Sequence, residues 1–147
     1  MPVPGHSKAI LIVEDEGSVR RVLARMLSSR GFRTIEAANG REAIQHLSRE
    51  TPAAIVIDLL MPIMSGIELV KALRRNAYFR TIPTLVMTGA VDPREAATLG
   101  VPVLLKSDLD SLPKLLLQMI SAGDPVPEGR AEMVSGLVVG EDLVSSG

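Results

Sequence analysis

Short, dense apolar runs alternate along this chain with segments in which apolar residues recur every three or four positions. Ala9–Val13 is an unbroken run rich in Ile and Val that stops at Glu14-Asp15-Glu16. A buried parallel strand reads this way where its carboxyl end meets solvent. Val19, Val22, Leu23, Met26 and Leu27 then fall at i, i+3, i+4, i+7 and i+8, one face of a helix capped by Ser18 or Glu16 and stopped at Gly31. The same reading predicts strands at Arg33–Ala37, 54–60, Thr84–Thr88 and Val103–Leu105, and helices at 41–49, 66–74, 93–99 and 111–121. The last helix takes its apolar face from Leu112, Leu115, Leu116, Met119 and Ile120. It tolerates Pro113 because an N–H in the first turn has no intrahelical acceptor.

Five strands alternating with five helices predict an α/β fold, a doubly wound parallel sheet with helices on both faces, because parallel strands need right-handed crossover connections. Ligands of such sheets bind at the carboxyl ends of the strands. After Gly123 the periodicity lapses into Gly, Pro, Ser and scattered acids. The expected organisation is therefore one domain over 8–122 and a flexible C-terminal tail over 123–147. Apolar residues in that tail, among them Val138, Val139 and Leu143, are expected to engage a partner or a second copy of the chain.

Composition narrows the function. Aromatic residues make up 2% of the chain, so recognition by base stacking is disfavoured. Sixteen basic and seventeen acidic residues leave a formal charge of -1 with no basic cluster able to follow a phosphate backbone, and direct nucleic-acid binding is not expected. No apolar stretch approaches membrane-spanning length, and no secretory signal is read at Met1 to Ser7. Cysteine is absent, which removes disulfide frameworks and fits a cytoplasmic setting.

The candidate chemistry lies at the predicted strand ends: Glu14 and Asp15 after the first, Asp58 on the third, Thr88 on the fourth and Lys106 after the fifth. Taken singly, acids after strands are commonly loop residues, Thr88 reads as a turn residue and Lys106 as a solvated one. Asp58 is different, because an acid ending an all-apolar strand is costly without a partner. Together, three carboxylates favour a hard cation with oxygen ligands, Mg²⁺ where phosphate is handled, and the lysine and threonine would complete a phosphoryl cradle.

Four stretches, Ile12-Val13-Glu14-Asp15-Glu16, Asp58-Leu59-Leu60-Met61-Pro62-Ile63-Met64-Ser65-Gly66, Met87-Thr88-Gly89 and Leu105-Lys106, resemble the motifs of the receiver domains of two-component response regulators. The resemblance covers about 8–122 and implies a flavodoxin-like sheet of strand order 2-1-3-4-5. It implies a phosphoacceptor signalling domain, not a metabolic enzyme, with Asp58 phosphorylated by a histidine kinase, a histidine phosphotransfer protein or a small phosphodonor. Mg²⁺ would be held by Asp15, Asp58 and the backbone carbonyl of Leu60, with Glu14 reaching it through water, while Lys106 and Thr88 contact the phosphoryl oxygens. A downstream protein effector would read the state, and a homodimer is possible within the family. The resemblance also places Leu60 and Ala90 beside the path of the water that attacks the acyl phosphate.

Three departures from the family pattern bear on output. Ser107 follows Lys106 where relatives have proline, so a trans bond and a reshaped loop are expected, with Asp108 placed to tether Lys106 at rest. Val103 replaces the usual aromatic, and the stretch from Thr88 to Lys106 is about one helical turn short. Two other readings compete with the phosphoacceptor. A pseudo-receiver used only for docking is disfavoured by the complete set Glu14, Asp15, Asp58, Thr88 and Lys106. An aspartyl-phosphate phosphatase is disfavoured by Leu60, which stands where that class has a second aspartate.

Overall fold

The computed structural model describes residues 9–59, 61, 64–89 and 98–122. The expected tail over 123–147, Leu60, Ala90 and most of the expected helix over 93–99 lie outside them; Thr98 and Leu99 form a turn.

Five strands, β1 (Ala9–Val13), β2 (Arg33–Ala37), β3 (Ala54–Asp58), β4 (Thr84–Thr88) and β5 (Val103–Leu105), form one sheet of order β2-β1-β3-β4-β5. Every pairing is parallel. The described helices are α1 (Gly17–Ser28), α2 (Gly40–Leu47), α3 (Gly66–Arg75) and α4 (Leu112–Ala122). The predicted flavodoxin-like order and doubly wound class are what the sheet shows. Period-two alternation sends Leu11, Val13, Ile55, Ile57 and Val86 to one face with Ala43 and Leu47 of α2 and Leu69, Val70 and Leu73 of α3. Ile10, Ile12, Ala54, Val56, Leu85 and Met87 go to the other, with Leu23 and Leu27 of α1 and Leu112, Leu116 and Met119 of α4. β1, β3 and β4 are buried along their whole length, which explains why their runs are continuous and not alternating. Each large aliphatic side chain so removed from water contributes about 1.5–3 kcal/mol.

Three expectations change in detail. Val22 is 56% exposed and Ala24 is buried in its place, because α1 rests on the sheet along a line through Leu23, Ala24 and Leu27. Glu16 occupies the N-cap of α1 without making a side-chain cap, and Ser18, already inside the helix, turns its hydroxyl to the Glu16 carboxylate at 3.3 Å. The third strand ends at Asp58. The helix does close at Gly31, whose φ of 94° is a left-handed conformation that glycine adopts without a Cβ penalty.

Candidate functional site

Glu14 follows directly on β1, and its N–H donates to the carbonyl of Ala37 on β2 at 3.0 Å. Asp58 is the last residue of β3, in register with Met87 of β4, and Thr88 is in register with Leu105. The alignment Val13↔Ile57 between β1 and β3 therefore sets Glu14 beside Asp58. Lys106 starts from β5, two strand spacings or roughly 10 Å from β3, and its long stem crosses the end of β4. Its Nζ lies 3.4 Å from Asp58 Oδ1 and 3.4 Å from Glu14 Oε1. The ion pairs of Lys106 thus run to Glu14 and Asp58, not to Asp108 as the sequence suggested. Two carboxylates on buried strands outcompete one on an exposed turn, because attraction is less screened in the interior.

One carboxylate oxygen each from Glu14, Asp15 and Asp58 lie within 4.8 Å of one another. Glu14 is 1%, Asp58 4% and Thr88 1% exposed, so Glu14 and Asp58 cannot rely on bulk water to separate their charges, whereas Asp15 is exposed. Glu14 Oε2 accepts the Glu16 N–H at 3.2 Å, whereas buried Oε1 accepts no hydrogen bond. Burial pushes the Glu14 carboxyl up from 4.5 to about 7; the Glu16 N–H pulls it down, and the charge of Asp58 adds to the rise. For Lys106, burial works against the ammonium, but the charges of Asp58 and Glu14 prevail and raise it above the usual 10.5. A pocket of hard oxygens, in which buried Glu14 Oε1 has the Lys106 ammonium at 3.4 Å for a partner and accepts no hydrogen bond, fits a hard divalent cation, which would relieve the carboxylate repulsion that a single lysine only partly offsets.

The loop after Asp58 is held from both ends. Leu59 N–H donates to the Met87 carbonyl and Gly66 N–H to the Leu59 carbonyl, each at 2.9 Å. α3 comes so close that a Cβ on Gly66 would lie 2.2 Å from the Asp58 carbonyl oxygen; only glycine fits. Ser65 and Glu68 close a reciprocal capping box at 3.1 Å in both directions. Its signal, Ser-x-x-Glu ahead of an apolar run, is legible in the sequence and was not among the expectations. The Lys106 peptide is trans, as expected, and Lys106–Ser111 leads into α4 as 3₁₀ turns that meet at a kink at Asp108.

A residue the strand-end motifs do not flag also reaches this region. Arg20 of α1 donates from Nη1 to the Glu14 main-chain carbonyl at 2.7 Å and from Nε to Glu36 of β2 at 3.0 Å. All five strand-end candidates are brought to one end of the sheet; Leu60 lies outside the described residues.

Comparison with known proteins agrees with this geometry. The profile of the family described as response regulator receiver domain matches residues 10–103. A probable transcriptional regulator, ycf27, of Porphyridium aerugineum is 36% identical over 93 residues, 63% of this chain and 38% of that protein. The phosphate regulon transcriptional regulatory protein PhoB of Escherichia coli (strain K12) is 34% identical over 82 residues, 56% of this chain and 36% of that protein. The chain therefore aligns with well under half the length of these curated relatives. The signal receiver domain of a signal transduction histidine kinase from Syntrophus aciditrophicus superposes with a TM-score of 0.74 at 31% identity, covering 82% of this chain and 95% of that one.

Proposed function

The chain belongs to the response regulator receiver family of two-component systems, and from that premise we propose that it is a phosphoacceptor switch. Asp58 takes a phosphoryl group from the phosphohistidine of a histidine kinase or histidine phosphotransfer protein in the cytoplasm, and a protein effector reads the result. The domain so acting spans 8–122. The observation that carries the reading is the juxtaposition of buried Asp58 with the Lys106 ammonium at 3.4 Å, inside a cluster of three carboxylates.

Mg²⁺ is the cation proposed for the pocket, held by Asp15, Asp58 and the Leu60 carbonyl with Glu14 acting through water, and when bound it supplies charge neutralisation for the transferring group. The chain's own residues supply the rest. An Asp58 carboxylate oxygen forms a bond to phosphorus as the bond from phosphorus to the donor's imidazole nitrogen breaks, the electron pair leaving with the imidazole. Lys106 passes from the bare carboxylates to the phosphoryl oxygens, a short movement because it already stands between Glu14 and Asp58. The Thr88 hydroxyl donates to a phosphoryl oxygen from the adjoining strand end. Such transfer requires positioning and electrostatic stabilisation more than covalent help.

Intact-mass spectrometry after treatment with acetyl phosphate and Mg²⁺ tests the proposal. Wild type should gain the mass of one phosphoryl group, and Asp58→Asn should gain none. An unmodified wild type, or equal modification of the variant, would overturn it; the former result would favour a docking module that is never phosphorylated.

A further inference from the structure

We propose that Arg20 is a positioning residue of the acidic pocket, which fixes the Glu14-Asp15 peptide so that both carboxylates converge with Asp58. The inference rests on the reading of that pocket as a cation site.

Glu14 and Asp15 sit beyond the last rung of β1, where the sheet no longer dictates the main chain. The Glu14 N–H is tied to the Ala37 carbonyl of β2 at 3.0 Å. Its carbonyl lies beyond the β1–β2 ladder, whose last paired residues are Val13 and Ala37. Arg20 supplies a donor to that carbonyl at 2.7 Å. The helix makes this possible: α1 side chains lean toward the N-terminus, so a residue one turn into α1 reaches back over Gly17 to the strand end. Arg20 is itself anchored by Glu36, the β2 neighbour of Ala37, so both sides of the Glu14 residue are referred to the same strand.

Orienting the Glu14 carbonyl orients the plane of the peptide that carries Asp15, and with it the direction of the Asp15 side chain. Freed from Arg20, that peptide could rotate about its flanking bonds and bring an oxygen dipole toward three carboxylates, or carry Asp15 out toward solvent. Glu36 offsets the charge of Arg20 at 3.0 Å, so the expected contribution is geometric and not a long-range field. Lysine should not replace it, since one ammonium lacks the fork that serves a carbonyl and a carboxylate in two fixed directions.

The test compares Mg²⁺ titrations of thermal stability, at fixed pH and ionic strength, for wild type, Arg20→Ala, Arg20→Lys and Arg21→Ala, with urea stability measured separately without Mg²⁺. Loss of a group that orients a metal ligand weakens affinity by about 10–100-fold. Both Arg20 variants should therefore show a Mg²⁺ dissociation constant raised by about tenfold or more, while Arg21→Ala, which removes the same charge from the next helix position, stays within about twofold. Arg20→Lys keeps the test decisive if Arg20→Ala does not fold. Arg20 variants that lose urea stability yet bind Mg²⁺ as wild type does would show a merely structural role and overturn the proposal. A wild type without any Mg²⁺ response would instead overturn the cation reading of the pocket, and this inference with it.

Discussion

Glu14 enters the folded state with its carboxyl pushed from 4.5 to about 7, burial being the first cause, so folding takes up a proton across that range. A carboxyl whose folded value lies above its unfolded one contributes stability that is complete below about pH 4.5 and lost as the pH rises through 7. Each unit of pH across that gap is worth about 1.4 kcal/mol, which makes the loss between pH 5 and 8 roughly 2–3 kcal/mol in the metal-free protein. Glu14 is 1% exposed, so little of this is screened by solvent. Lys106, raised above 10.5, stays charged throughout the window and adds no slope there. Glu14→Gln keeps the shape and removes the titration. Urea melts at pH 5 and pH 8 without Mg²⁺ should show the variant gaining on wild type by that amount, close to 10 °C in melting temperature for a domain of this size. Saturating Mg²⁺ should restore wild type at pH 8 and act progressively less toward pH 5, where the proton competes for the same oxygen. Parallel pH profiles for wild type and Glu14→Gln would refute the reasoning, because they would mean that Glu14 folds without taking up a proton.

Two further outcomes are expected. Gly66→Ala should lower stability by about 2 kcal/mol despite its better helix propensity, since the new Cβ would stand 2.2 Å from the Asp58 carbonyl oxygen and the backbone on one side must move; an unchanged urea midpoint would contradict the close approach. The receiver resemblance implies that the apolar side chains of Leu60 and Ala90 flank the water that attacks the acyl phosphate; on that reading the phosphorylated protein should decay slowly, and Leu60→Asn with Ala90→Glu should speed decay about tenfold, a gain of ~1.4 kcal/mol in the transition state; equal decay rates at fixed Mg²⁺ would dismiss it.

The local sequence determined most of the elements. Ala9–Val13, Arg33–Ala37, Thr84–Thr88 and Val103–Leu105 have the bounds read from the sequence; in Ala9–Val13 and Thr84–Thr88 burial on both faces leaves a dense apolar signal, whereas Arg33–Ala37 and Val103–Leu105 are partly buried strands at the two edges of the sheet. Glu14, Asp15, Thr88 and Lys106 were legible as polar residues where an apolar run stops, and Asp58 as the acid within an apolar stretch that continues through Leu59-Leu60-Met61. Pairwise choices in space were not legible. That Lys106 crosses β4 to meet Glu14 and Asp58 depends on strand order and register. That Val22 is exposed while Ala24 is buried depends on how α1 is rolled on the sheet, which a helical period fixes only to within a neighbouring residue. The bond from Arg20 to the Glu14 carbonyl has no sequence signature at its acceptor end, because every residue carries a carbonyl and only the folded backbone decides which ones are left for a side chain to hold.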